Sequence, residues 1–174
     1  MKTIVITGAS SGIGYATAKA LAPNKRLIIC GRREERLLQL QKELFNTPVH
    51  ILTFDVADKE AVFNAFNTLP EDWKNIDVLI NNAGNAHGLA RFQDADLDDL
   101  DAMIDSNVKG LIYVTRACLA FLEKSNNAHI VNLSSIAGKQ VYTNGTTYCA
   151  SKWAVEALTK GMRLDFLPLG IKVT

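Results

Sequence analysis

Short unbroken runs of Val, Ile and Leu recur along the chain, separated by longer segments whose apolar residues stand three or four apart. The short runs predict strands at Thr3–Ile6, Leu27–Cys30, Val49–Thr53, Val78–Asn81, His129–Leu133 and Ile171–Thr174. Few polar residues alternate within them, as expected of strands buried on both faces. The longer segments predict helices near 13–22, 34–45, 58–68, 98–124 and 148–167. Alternation of this kind predicts an α/β fold, with helices on both faces of a parallel sheet and right-handed crossovers.

The segment 98–124 is expected to hold two helices, because Asp105-Ser106-Asn107 interrupts it and Ser and Asn favour caps over helix interiors. Asp94, Asp96, Asp98, Asp99 and Asp101 read as a solvated helix start, where acidic groups suit the helix dipole. A metal site is the competing reading, but nothing nearby completes a ligand set. No repeat, low-complexity tract or linker divides residues 1–174, which are read as one domain. Ile171-Lys172-Val173-Thr174 reads as a strand that stops without a covering helix, so a C-terminal portion is expected beyond it.

Composition narrows the function. Hydrophobic residues make up 48% of the 174, and 19 basic against 18 acidic side chains leave a formal charge of +1. That balance gives no reason to expect nucleic acid or an anionic membrane as the main partner. Cys30, Cys118 and Cys149 are odd in number and widely spaced, which suits a reducing, cytoplasmic setting better than a disulfide framework. Ile4-Val5-Ile6 is too short for a signal peptide, and no segment approaches the ~18 apolar residues of a spanning helix.

The first chemistry lies in Thr7-Gly8-Ala9-Ser10-Ser11-Gly12-Ile13-Gly14, between the first strand and the first helix. Gly8, Gly12 and Gly14 let the chain turn sharply, so that backbone N–H groups and the helix N-terminus meet a pyrophosphate. A glycine- and serine-rich turn without a ligand is the competing reading. An enzyme that uses NAD places a carboxylate at the tip of the second strand. Here Arg32 and Arg33 stand at that tip, which predicts a 2′-phosphate and hence NADP(H). Alternatively, the two arginines only begin the charged helix Arg32-Arg33-Glu34-Glu35-Arg36.

Together with Asn81-Asn82-Ala83-Gly84, Asn107, Ser135 and Tyr148-x-x-x-Lys152, this turn resembles the short-chain dehydrogenase/reductase family, with every motif in order from residue 3 to residue 174. The resemblance implies a Rossmann-type doubly wound sheet. It implies Asn107, Ser135, Tyr148 and Lys152 as the catalytic set, with substrate at Ser135 and Tyr148. It implies that Ser10, Ser11, Ile13, Tyr148 and Lys152 help hold the cofactor, that Asp55-Val56 contacts adenine, and that Asn82-Ala83-Gly84 supports the ribose and adenine side. Asn107 would hold a water linking Lys152 to solvent. The family commonly forms tetramers, so a homotetramer or homodimer is expected.

The chemistry also follows from the residues. Reduction of a carbonyl needs a proton donor for the developing alkoxide, and tyrosine can serve. Lys152 follows Tyr148 by one helical turn, about 5–6 Å away between Cβ atoms, and its charge favours tyrosinate. Ser135 ends the fifth strand, at the sheet edge where ligands bind, and a hydroxyl there can hold the substrate oxygen. Its neighbour Ser134 is the alternative, but in the family the serine stands thirteen residues before the tyrosine, as Ser135 does here. Tyr142 has no lysine four residues later. His87 is either a lining residue of the substrate pocket or an uninvolved loop histidine.

Gly31–Leu37, Leu69–Trp73, Asn75–Asp77 and Met103–Tyr113 are similar to one branch, the NADP-dependent 3-hydroxy acid dehydrogenases that oxidise serine and allo-threonine. That branch moves hydride between nicotinamide C4 and the β-carbon of the hydroxy acid, and the 3-oxo product can lose carbon dioxide. The alternatives are a reductase for another carbonyl, or a catalytically silent protein that senses NADPH. A methyltransferase also uses a glycine turn, but has no use for Tyr148 and Lys152. Ala117, Leu119, Phe121, Trp153, Val155 and Leu158 are expected to serve either an interface or the core.

Overall fold

The computed structural model describes residues 1–174. Six strands form one parallel sheet in the order β3-β2-β1-β4-β5-β6. They are β1 (Lys2–Thr7), β2 (Lys25–Gly31), β3 (Val49–Thr53), β4 (Val78–Asn81), β5 (His129–Asn132) and β6 (Lys172–Val173). The chain winds outward from β1 to β3, then returns to the other side of β1 with β4. The reversal between β1 and β4 opens a crevice at their C-terminal ends, the usual ligand position in such sheets.

Alternate residues of one strand enter different cores. Ile4 and Ile6 of β1 pack with Leu27, Ile29 and Ile80 under α1 (Gly12–Leu21) and α2 (Glu34–Glu43). Val5 points to the opposite face and packs with Ile28, Leu79 and Ile130 under α3 (Lys59–Asn67) and α5 (Gly110–Leu122). Burial on both faces explains why the strands read as continuous apolar runs. In α5 the buried Leu111, Val114, Thr115, Cys118 and Leu122 form one helical stripe. Ala117, Leu119 and Phe121 pack against the same core, whereas Trp153 stays half exposed. The three cysteines are buried as free thiols.

Two sequence expectations shift. β5 stops at Asn132, and the Leu133 carbonyl beyond it accepts a hydrogen bond from Lys152 Nζ at 2.9 Å. The expected break at Asp105-Ser106-Asn107 is a π-turn, Asp105–Lys109, that joins α4 (Leu97–Ile104) directly to α5. Ser106 donates to the Ala102 carbonyl at 2.7 Å, so its hydroxyl is satisfied without ending the helix. The extra residue of the turn lets Asn107 reach across to the loop after β4, and π-turns of this kind are frequent at functional sites. The acidic run does start α4: Asp96 caps it, accepting from Asp98 N–H at 2.9 Å.

Candidate active site

Two cavities meet at the C-terminal edge of the sheet. The first, of about 420 Å³, is floored by the turn after β1 and walled by the tips of β2, β3, β4 and β5. The second, of about 330 Å³, lies between the loop 86–95, α4 and the segment leading into α6 (Thr146–Asp165). The Tyr148 side chain, in the first turn of α6, lines both.

The glycine turn is shaped by close approach. Gly8 and Gly12 have φ of 65° and 55°, in the left-handed region. A Cβ on Gly14 would strike the Gly8 carbonyl and Asn82 Nδ2, so helix α1 can pack this near β4 only with glycine there. Asn82 Nδ2 donates to the Thr7 carbonyl at 2.8 Å, and Thr7 Oγ1 accepts from both Asn82 N–H and Ala83 N–H, at 3.0 and 2.9 Å. The ends of β1 and β4 are thereby locked together. Gly8, Ser10, Ser11, Gly12 and Ile13 face the first cavity, while Gly14 stands behind its floor.

At the far end of this cavity Arg33 Nη2 donates to Ser10 Oγ at 3.0 Å and to Ser11 Oγ at 2.8 Å. Arg32 Nη1 pairs with Asp55 Oδ2 at 3.1 Å. Asp55 also accepts from Ala57 N–H through Oδ1 at 3.0 Å, so its carboxylate is fixed on both oxygens. Asp55, Val56, Asn82, Ala83 and Gly84 line the wall.

Lys152 is buried, and burial lowers its pKa from the usual lysine value. Its Nζ lies 5.9 Å from the centroid of the Tyr148 ring and donates to the Leu133 carbonyl. Asn107 is also buried and lies outside both cavity walls. Its Nδ2 donates to the Asn85 carbonyl at 2.8 Å and to Ser151 Oγ at 3.0 Å, and its Oδ1 accepts from Asn85 N–H at 2.8 Å. Ser106 Oγ supplies a further contact to Oδ1 at 3.3 Å. With both amide hydrogens used, this side chain ties the loop after β4 to α6.

Ser135 caps the turn Ile136–Gly138 by accepting from Ala137 N–H at 3.1 Å, which leaves its own hydroxyl hydrogen free to donate. It lines neither cavity; Leu133 and Ser134 do so on the first. Ser134 Oγ is buried without a partner. A Cβ on Gly138 would come within 2.7 Å of that oxygen, so it points under the turn.

Sequence reasoning missed several residues. Asn85 and Ala86 extend the wall beyond Gly84. Ser151, fully buried, donates to the Tyr148 carbonyl at 2.7 Å and accepts from Asn107 Nδ2, and so ties Asn107 to α6. A hydroxyl directly before Lys152 in a helix interior was its signal. Thr7 opens the glycine turn in the sequence, but its locking of β1 to β4 through Oγ1 has no local signal.

Comparison with known proteins agrees with this architecture. The family described as short chain dehydrogenase matches residues 2–174. An NADP-dependent 3-hydroxy acid dehydrogenase of Escherichia coli is 37% identical over 172 residues, covering 98% of this chain and 69% of the relative. A sulfoacetaldehyde reductase of Chromohalobacter salexigens is 43% identical over 174 residues, again covering 98% and 69%. A structure of the closed form of serine dehydrogenase complexed with NADP+ superposes with a TM-score of 0.94 at 36% identity, covering 98% of this chain and 69% of that one. Sheet order, glycine turn, Tyr148–Lys152 pair and family match coincide over nearly every residue, and the chain belongs to the short-chain dehydrogenase family.

Proposed function

We propose that this protein is an NADP(H)-dependent oxidoreductase for a small alcohol or its carbonyl counterpart, with an anionic group such as that of a 3-hydroxy acid. The observation that carries the reading is Tyr148 in the wall shared by a cofactor-sized cavity and a smaller one, with the Lys152 cation beside it. The residues fit a dinucleotide: Gly8 and Gly12 carry the cavity floor through turns of positive φ, and the fork of Arg33 across two serine hydroxyls forms a donor-rich corner. Such a corner suits a 2′-phosphate, and related proteins are NADP-dependent by name.

The glycine turn and the N-terminus of α1 would hold the pyrophosphate, Arg32 and Arg33 the 2′-phosphate, and Asp55 and Val56 the adenine. When bound, the nicotinamide supplies exchange of hydride at its C4. Tyr148 Oη holds the proton given to the substrate oxygen on reduction, and receives it on oxidation. Lys152 Nζ stabilises the phenolate left behind. Ser135, with its hydroxyl hydrogen unspent, donates to the same substrate oxygen and orients it. Asn107 and Ser151 hold the loop and helix that carry these groups.

Residues 1–174 would then form one dinucleotide-binding domain. A homotetramer or homodimer and a cytoplasmic setting belong to the same reading; no helix of the structure is long and apolar enough to cross a membrane. The test is nicotinamide absorbance with NADP+ and L-serine, allo-threonine and 3-hydroxy acids, and with NADPH and sulfoacetaldehyde. Turnover that Tyr148→Phe abolishes supports the reading. Turnover that survives in Tyr148→Phe at the parent rate removes the catalytic assignment.

A further inference from the structure

An anionic substrate in a partly apolar cavity needs a charged or hydrogen-bonding partner, because an unpaired charge there is costly. The second cavity has Leu89, Phe92, Leu100 and Met103 in its walls and neither lysine nor arginine. Its chargeable side chains besides the two tyrosines are Asp96, Asp99 and His87. Asp96 caps α4, accepting from Asp98 N–H. His87 is therefore the one lining group able to carry positive charge.

Its position is built from both sides. On one side Asn107 grips the amide and the carbonyl of Asn85, two residues earlier. On the other, Asp99 Oδ1 stands 3.7 Å from His87 Nδ1. Asp99 Oδ2 lies 2.9 Å from where a Cβ of residue 88 would be, and Gly88 has φ of 57°. A glycine thus lets the loop fold onto the Asp99 carboxylate. With Nδ1 facing Asp99, the opposite ring edge, Nε2, is left without a hydrogen-bond partner on a side chain 45% exposed. The Asp99 carboxylate beside Nδ1 orients the ring so that Nε2 is the edge left for a ligand.

We propose that His87 binds the anionic group of the substrate through Nε2–H, with Asp99 orienting the ring and offsetting its charge. The proposal rests on the oxidoreductase reading for where the substrate lies, and it deepens that reading by assigning the residue that selects an anion. Carboxylate and sulfonate share the chemistry, and the two are separated by the probe used.

The experiment follows quenching of NADPH fluorescence as unreactive ternary complexes form with 3-hydroxypropionate, with 2-hydroxyethanesulfonate, and with the uncharged methyl ester of the former. No turnover is required. In His87→Leu the dissociation constant for the preferred anion should rise at least ~10-fold. The ester and NADPH itself should change by less than ~2-fold. His87→Gln, which keeps a donor without the charge, should lie between. Unchanged anion affinity in His87→Leu, a parallel loss for acid and ester, or no anion binding by the wild type overturns the proposal. Tyr148→Phe is the separate arm. If it retains full turnover, the catalytic assignment of Tyr148 fails, and if the wild type turns over none of the substrates the oxidoreductase reading fails, while the anion titration still stands or falls by itself.

Discussion

Asn107 holds both backbone groups of Asn85, donating to its carbonyl and accepting from its amide, each at 2.8 Å. The pair resembles one rung of a sheet, made by a side chain in place of a strand. It fixes where the chain goes after Gly84, between the two cavities. Asn107 is 2% exposed, and removing it takes away bonds to both backbone groups of the half-buried Asn85 and to the buried Ser151. Asn107→Ala should destabilise the protein by about 2–4 kcal/mol, since each orphaned buried group costs roughly 1–3 kcal/mol. Urea denaturation measures the loss, and hydrogen exchange should show the Asn85 amide losing its protection before the sheet does.

Arg33 is expected to set the choice of dinucleotide. A charge-assisted hydrogen bond is worth about 1.5–3 kcal/mol, and a guanidinium can offer two to a phosphate. Arg33→Ala, alone or with Arg32→Asp, should weaken NADPH binding roughly 10–100-fold and leave NADH within about 2-fold. Fluorescence titration of both nucleotides gives the ratio. An unchanged preference would mean that the two arginines only start α2.

Gly12 and Gly14 should differ on substitution, although both belong to the same turn. A Cβ on Gly12 meets nothing within 4 Å, but its φ of 55° is strained for any L side chain. Gly12→Ala should cost about 1–2 kcal/mol with the fold intact. Gly14→Ala drives a methyl into the Gly8 carbonyl and Asn82, neither of which can move without opening the β1–β4 junction. It should cost more than Gly12→Ala and abolish dinucleotide binding. Thermal unfolding with and without NADPH separates the two effects, because a protein that cannot bind gains no stability from the ligand.

Lys152 makes stability depend on pH in a definite direction. Burial lowers its pKa in the folded protein below the 10.5 of the open chain. Between those two values the unfolded chain binds more protons, so stability rises with pH. Below the folded value the cost of burying the ammonium is fully present. Lys152→Met lacks this dependence. Its stability relative to the parent should therefore fall as pH is raised from neutral to 10.5, while turnover is lost at every pH. Urea denaturation of both proteins across that range is the check, and parallel curves would contradict it.

Much of this architecture is written locally. The apolar runs of β1 and β2 mark buried strands, because Ile4, Val5, Leu27 and Ile28 meet a core whichever face they enter. The turn from Thr7 to Gly14 and the one-turn spacing of Tyr148 and Lys152 are equally local, and both emerge where the residues place them. Helix interruption at Asp105-Ser106-Asn107 was legible as a disturbance but not as a π-turn. Propensity reports that Ser and Asn resist a regular helix; it does not report that Asn107 has Asn85 and Ser151 waiting as partners.

The sequence alone determined the periods, the glycine turn, the arginines at the tip of β2 and the Tyr148–Lys152 pair, since each depends on neighbours within a few residues. Tertiary structure alone decided the order of strands, the meeting of two cavities at Tyr148, the hydroxyl of Ser135 turned to Ala137, and the placing of His87 against Asp99. Those contacts join segments far apart in the chain. They form only when burial of both faces of the sheet brings the segments to one edge, and no local pattern encodes that distance.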